Sequence, residues 1–317
     1  ISGGNRRDIE QLGLSLTATT DVLGRSAASS SLFSVGSNDR LTNIDLSTFN
    51  AEIEPLHNFI VRFGGSLRTL SSALPDAFNL DYVDPNSPTG ISSEIKQFDI
   101  ATTLVYTPGK RTIGYGVERR NINDTYSTLF LKYTKGFSGF LESDFDYEKL
   151  QFSYSQPWII GGFGRLYSTV ELGKTFGAVP LGLLNVIPGN QTLFSIYGTF
   201  PNLNFYEFVT DTYASVHLEQ NFNGRLFSRI PVIKNWNLRE IIGIRGVWGN
   251  LSDENILLNN PTNIPLSAPN DKIYWEYSFG VGNIFKILRI DFNFRGNYLE
   301  NPEARPFSVT GSFGFSF

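Results

Sequence analysis

The sequence predicts an all-β fold: a transmembrane antiparallel β-barrel of about fourteen strands, within a range of roughly twelve to sixteen. Three observations carry that expectation. The final segment alternates Phe307, Val309, Gly311, Phe313, Phe315 and Phe317 with Ser308, Thr310, Ser312, Gly314 and Ser316. A strand sends successive side chains to opposite faces, so one face here is aromatic and the other small and polar. The alternation recurs along the chain, and over residues 288–298 the second face carries Arg289, Asp291, Asn293 and Arg295. A dozen such strands in water would need a very large core, whereas a barrel with lipid outside and a polar lumen needs none. Hydrophobic residues make up 41% of the chain. No stretch, however, approaches the roughly 18 uninterrupted apolar residues of a membrane helix.

In chain order, residues 1–10 are polar and glycine-containing, and Leu12, Leu14 and Leu16 suggest a first short strand. The Ser/Ala/Gly run within 20–40 reads as a loop. Residues 41–51 are a weak second strand, and 57–70 a clearer one with Phe59, Val61 and Phe63 on one face. Pro75, Pro85, Pro88 and Gly90 place a long loop over 71–95. Strands follow at 98–106, 111–118 and 128–133, with a tight turn at Thr107-Pro108-Gly109-Lys110. Further strands are expected at 150–155, 166–172, 192–200, 214–222 and 238–248, with Gly161-Gly162 in a turn. Pro180, Pro188 and Gly189 make 176–191 a connection. Residues 250–271 are an Asn/Pro/Asp-rich loop, and the strands at 273–281, 288–298 and 306–317 complete the set.

In terms of domains, residues 1–56 form a weakly patterned N-terminal segment with the first barrel strands, and 57–317 the main part of a single barrel. An even strand count with both termini in the periplasm fixes the expected sides. Links 299–305, 250–271, 201–211, 159–163, 119–125, 71–95 and 20–40 fall outside. Links 52–56, 107–109 and 283–285 fall inside, as do three unusually long ones at 135–148, 176–191 and 223–236. Trp158, Trp236, Trp248 and Trp275 fall near strand ends, where aromatic girdles sit.

Aromatic residues reach 14%, with 27 Phe and 14 Tyr, beside 30 Gly; this mix favours twisted sheet over helix. The absence of Cys excludes disulfides and thiolate metal sites. A net charge of −4 without a basic run argues against a nucleic-acid groove. There is no Met, even at residue 1, which suggests a processed chain or a fragment.

Several stretches form a set. They include Tyr106-Thr107-Pro108-Gly109 with Glu118-Arg119-Arg120, Leu131-Lys132-Tyr133-Thr134-Lys135-Gly136, and Ser143-Asp144-Phe145-Asp146-Tyr147. Val179-Pro180-Leu181, Pro188-Gly189-Asn190-Gln191-Thr192 and Asn204-Phe205-Tyr206-Glu207-Phe208-Val209 follow. Phe222-Asn223-Gly224, Arg229-Ile230-Pro231, Leu251-Ser252-Asp253-Glu254-Asn255 and Gly280-Val281-Gly282-Asn283-Ile284-Phe285-Lys286 complete it. Over about residues 96–317 the chain resembles a Bacteroidota family of outer-membrane barrels of unassigned function. Its members usually carry a carboxypeptidase-regulatory-like domain ahead of the barrel. The resemblance implies that this chain is the barrel portion, distantly similar to the Bam-type barrels that insert or export outer-membrane proteins.

Chemistry-bearing residues are few. The lumen face is expected to carry Glu171, His217, Glu219, Arg239, Arg245, Glu276, Arg289, Asp291, Asn293 and Arg295. Their mixed signs suit mutual bracing better than pore selectivity. Phe279, Leu288, Ile290, Phe292, Phe294, Phe313 and Phe315 are expected to face lipid, and Phe317 to act as a C-terminal signal. His57 and His217 are the only histidines. Neither makes a metal site, and His217 between Ser215 and Glu219 reads as a solvated or hydrogen-bonded lumen residue rather than a catalytic base. Asp253, Glu254 and Asn255 read as solvated loop charge rather than a cation site. No catalytic, cofactor or metal residue is assigned.

The expected protein is an integral barrel of the bacterial outer membrane with no enzymatic activity. It would act as a component or scaffold of a machine that assembles or exports outer-membrane proteins or lipoproteins. Its partners would be outer-membrane lipid and envelope proteins, with no nucleic acid. The alternatives are a passive pore for small solutes and an outer-membrane hydrolase.

Overall fold

The computed structural model describes residues 1–10, 40–114, 116 and 119–314. The short strand expected at Leu12–Leu16, most of the loop expected over 20–40, Phe315 and Phe317 lie outside the described residues.

Twelve strands form one antiparallel sheet in which every neighbour in space is also the next in sequence. They are β1 (Ser2–Glu10), β2 (Thr42–Leu56), β3 (Phe59–Ser72), β4 (Glu94–Tyr106), β5 (Thr128–Phe137) and β6 (Tyr147–Ile159). After them come β7 (Arg165–Phe176), β8 (Thr212–Asn221), β9 (Arg239–Asn250), β10 (Tyr274–Ile284), β11 (Leu288–Arg295) and β12 (Phe307–Phe313). Among the described residues no ladder joins β1 to β12, so the meander is open at that seam. The one α-helix among the described residues, α1 (Asp253–Leu258), is short, and no helix among them is long and apolar enough to cross a membrane.

The period-2 pattern decides which side faces in. On β10 Tyr274, Glu276, Ser278 and Gly280 are buried, while Trp275, Tyr277 and Phe279 are exposed. On β11 Asp291 is 1% exposed and Phe292 37%. The concave face is therefore polar and the convex face apolar, the reverse of a water-soluble sandwich. Convex aromatics pair across strands. Tyr277 stacks on Phe294 at 5.1 Å and 12°, a contact worth roughly 0.5–1.5 kcal/mol beyond its area. The apolar band weakens toward the β1 edge, where Arg7 pairs with Asp45 at 2.9 Å and Ser47 with Asn5 at 2.7 Å, all on the convex side of β1 and β2.

Several expectations are corrected. The polar opening residues form β1, because a glycine-containing edge strand needs only one hydrogen-bonding neighbour. Residues 111–118 contribute only a two-residue ladder, Thr112–Ile113 with Arg120–Asn121, inside a link. Residues 192–200 are not a strand of the sheet. The whole segment 177–211 is one link between β7 and β8, and it folds into the concave side. Removing those two strands exchanges the ends of everything between them. Links 73–93, 138–146, 177–211, 251–273 and 296–306 share one end, and 57–58, 107–127, 160–164, 222–238 and 285–287 share the other. Links 119–125 and 159–163 thus lie at the end expected for the inside, and 135–148 and 176–191 at the opposite one.

The 177–211 insert gives the concave side an apolar core. Val179, Leu181, Leu183, Leu184, Val186 and Tyr206 pack with Leu70, Phe78, Leu80 and Ile95. Ile187, Phe200, Leu203 and Phe208 pack with Tyr213, Val247 and Tyr274. A ladder of Asn185–Val186 with Val209–Thr210 ties the two limbs of the insert together.

Candidate functional site: the interior insert and the seam

The charged residues of the concave wall hold the insert and one another. Arg295 on β11 donates to both carboxylate oxygens of Glu207 at 2.5 and 3.2 Å, and to the carbonyl oxygens of Asn202, Asn297 and Tyr298. Glu276 accepts from the Asn202 backbone N–H at 2.9 Å and from the Tyr274 hydroxyl at 2.7 Å, with Arg245 at 4.0 Å. Such charge-assisted bonds suit a buried position, where an unpaired charge is costly. Arg289 forks onto Glu219 at 2.9 and 2.7 Å and turns its Nε to Asp291 at 2.9 and 2.8 Å. Asn293 donates to Thr310 at 3.0 Å and accepts from Arg245 at 3.3 Å. Glu171 accepts from the buried Tyr213 hydroxyl at 2.7 Å. Arg239 stands opposite Gly282 on the concave side.

His217 packs against Phe200 with ring centroids 4.9 Å apart and the rings tilted at 55°. It borders a cavity of about 330 Å³ whose lining also includes Tyr167, Tyr197, Glu219, Arg245 and Arg289. Asn255 in α1 accepts from the Val179 backbone N–H at 2.9 Å and donates to Asp211 at 3.2 Å, so it fastens the insert. Of the residues expected to face lipid, Phe279, Phe292 and Phe313 are exposed on the convex side, and Leu288, Ile290 and Phe294 lie half-buried on the same face.

Sequence reasoning missed the residues on the insert's side of these contacts. Glu207 and Asn202 are two. On the wall side it missed Lys149 of β6, which donates to the insert's Leu183 carbonyl at 2.7 Å. A signal was present for Glu207, which sits inside the Asn204–Val209 motif run.

The insert also reaches the seam. Phe194 forms a parallel bridge with Gly311 of β12. The Ser195 N–H donates to the Gly311 carbonyl at 2.8 Å and the Gly311 N–H to the Leu193 carbonyl at 2.7 Å. The Ser195 hydroxyl adds bonds to Asp291 at 3.0 Å and Thr310 at 2.9 Å. At Gly311 the outer edge of β12 is thus occupied by three residues of the chain's own interior.

A meander with its polar face inward, its apolar face outward and an interior insert defines an outer-membrane type of β-barrel fold. Residues 74–254 match the model of a family of unknown function (DUF5686), C-terminal domain. The chain belongs to that family. Its fold is similar to that of BamA from Haemophilus ducreyi lacking POTRA domains 1–3, with a TM-score of 0.53 and 12% identity over 86% of this chain and 55% of that one. Lesser likenesses are to CdiB from Acinetobacter baumannii (TM-score 0.40, 11% identity, 86% of this chain and 49% of that one) and to OccK11 (OpdR) from Pseudomonas aeruginosa (TM-score 0.31, 11% identity, 97% and 75%). The chain spans about half the length of the BamA and CdiB structures it matches. No curated protein matches it.

Proposed function

We propose that this chain is a non-enzymatic barrel of the bacterial outer membrane with both termini periplasmic, working in a machine that assembles or exports outer-membrane proteins or lipoproteins. The Bacteroidota affiliation implied by its motifs is part of this proposal. The observation that carries it is the seam. The edge of β12 already accepts an extended segment, Leu193–Ser195, through backbone hydrogen bonds. An exposed sheet edge recruits extended chains by strand addition, with affinity supplied by the main chain. A client strand can take the place of Leu193–Ser195 without any change in the wall of the barrel. On the β1 side of the seam the convex face carries Asn5, Arg7, Asp45 and Ser47, so a strand passing there meets groups able to hydrogen-bond, while the β12 side presents Phe307, Val309 and Phe313.

The reading is tested with a photo-crosslinking residue at Val309 on β12 in cells. Capture of other outer-membrane β-barrel chains is expected. Cross-links confined to the chain's own β1 would contradict it. Purifying the native complex and identifying co-purifying chains then names the partners.

The pore alternative is disfavoured by the insert, which packs two apolar clusters across the interior. Conductance in planar bilayers by the intact chain would favour it. The hydrolase alternative is disfavoured because His217 packs against the Phe200 ring, with no hydrogen bond to a serine or carboxylate among the described residues.

A further inference from the structure

The links at one end of the sheet carry a second surface. Link 222–238, between β8 and β9, folds back onto the convex wall. Glu240 shows this, since it shares the convex face with Ile242 and Ile244 yet is only 1% exposed. Its carboxylate accepts the Leu226 N–H at 2.5 Å, and its backbone carbonyl accepts the Phe222 N–H at 3.0 Å. The link covers a carboxylate that would otherwise face the apolar side.

What the link shows to the outside is apolar and basic. Val232 is 77% exposed and Trp236 62%, with Leu226 and Ile230 beside them. Arg225, Arg229 and Lys234 supply charge, and the link contains no Asp or Glu. Arg225 lies over the Phe163 ring at 4.6 Å, which joins link 160–164 to the same surface. Asn283 donates to the Asn237 carbonyl at 2.7 Å, joining link 285–287 with Lys286 and the 88% exposed Phe285. The links at the opposite end carry the reverse charge, as at Asp81, Asp84, Glu142, Asp144, Asp253 and Glu254.

An apolar face flanked by basic side chains, with its tryptophan at the boundary, is the pattern of a segment lying in a bilayer interface over anionic headgroups. We propose that link 222–238 is an interfacial anchor that binds anionic phospholipid of the adjoining leaflet. Val232, Ile230 and Trp236 enter the acyl boundary, and Arg229 and Lys234 meet the phosphates. The surface continues the apolar convex wall of β8 and β9 directly, so the bilayer is its occupant. This inference rests on the membrane-barrel reading above.

The test uses two variants, each with a single tryptophan and the other three changed to Phe. One keeps Trp236 and the other keeps Trp275 on the convex face of β10. Each is reconstituted in bilayers containing brominated phosphatidylglycerol or brominated phosphatidylcholine, and fluorescence quenching gives relative lipid binding. At Trp236 the anionic lipid is expected to bind more strongly, on the order of five-fold for each basic residue near the surface. Arg229→Gln with Lys234→Gln should bring the ratio close to one. Trp275 should be quenched by both lipids alike. Equal quenching of Trp236 by the two lipids would overturn the proposal. So would quenching of Trp236 by aqueous acrylamide in place of the lipids, the result expected if a periplasmic protein covers this surface instead. If neither tryptophan responds to brominated lipid, the barrel reading itself fails.

Discussion

Ser195 donates its backbone N–H to the carbonyl of Gly311 at 2.8 Å, and through that bond the interior insert occupies the edge at which the barrel would close. The same Gly311 groups cannot also serve an antiparallel partner. Closure by β1, addition of a foreign strand and retention of Leu193–Ser195 are therefore mutually exclusive at this residue.

The contact can be trapped. The sequence has no cysteine, and a Cβ at Gly311 would meet nothing nearer than 3.5 Å. Phe194→Cys with Gly311→Cys should form a disulfide on mild oxidation, read as a mobility shift on a non-reducing gel. An oxidised sample with no shift would show that the insert does not rest on β12.

Arg295 and Glu207 form the most buried ion pair between wall and insert, with side chains 0% and 6% exposed. Arg295→Met leaves a buried carboxylate without its partner and should cost about 3–5 kcal/mol. Arg295→Met with Glu207→Leu should recover most of that loss. Denaturant unfolding in detergent, followed by the heat-modifiable gel mobility of folded barrels, measures both.

Gly189 lies where the two limbs of the insert cross, bridged to Phe200. A Cβ there would stand 2.4 Å from the Leu203 carbonyl oxygen and 3.0 Å from that of Asn204, both backbone atoms. Gly189→Ala should destabilise the fold by about 1–3 kcal/mol, the usual range for overpacking. The same unfolding assay checks it, and an unchanged midpoint would mean that the limbs separate easily.

At the end carrying link 107–127, Asp124 is tethered to Arg165. The Arg165 hydrogen bond holds the Asp124 carboxyl below the usual carboxylate range, outweighing the opposing effect of partial burial. A carboxylate lowered in the folded state contributes its stabilisation above its unfolded pKa, near 4, and loses it as pH falls through the folded value. Amide exchange of the link, corrected for intrinsic rates, should therefore rise on acidification below about pH 4. Asp124→Asn should exchange fast at every pH. A link whose corrected exchange is flat with pH would remove the tether from the account.

How far this was legible in the sequence follows from period. Glu276, Asp291 and Arg295 alternate with Tyr277, Phe292 and Phe294, and a period of two is readable without any structure. The insert hid because Val179, Leu181, Leu183 and Val186 pack against loops distant in sequence, such as Phe78 and Leu80, and no local pattern predicts such contacts. Residues 192–200 alternate weakly, enough to read as a strand, but their backbone partner on β12 is Gly311 and not a full ladder. β1 hid for the opposite reason. As an exposed edge with Gly3, Gly4, Arg6 and Arg7, it has no apolar stripe to betray it. The candidate site was half legible: its wall charges lay in periodic strands, whereas Glu207 and Ser195, which give them a function, lie in the insert.

The central claim is that the aromatic face of the sheet meets lipid. Spin labels at Phe279 and Phe292, introduced singly through Phe→Cys and reconstituted in bilayers, report on it through relaxation by oxygen and by a water-soluble nickel chelate. High oxygen access with the chelate excluded at both positions is the predicted result. Chelate access equal to that of a label in link 285–287 would place those rings in water and contradict it.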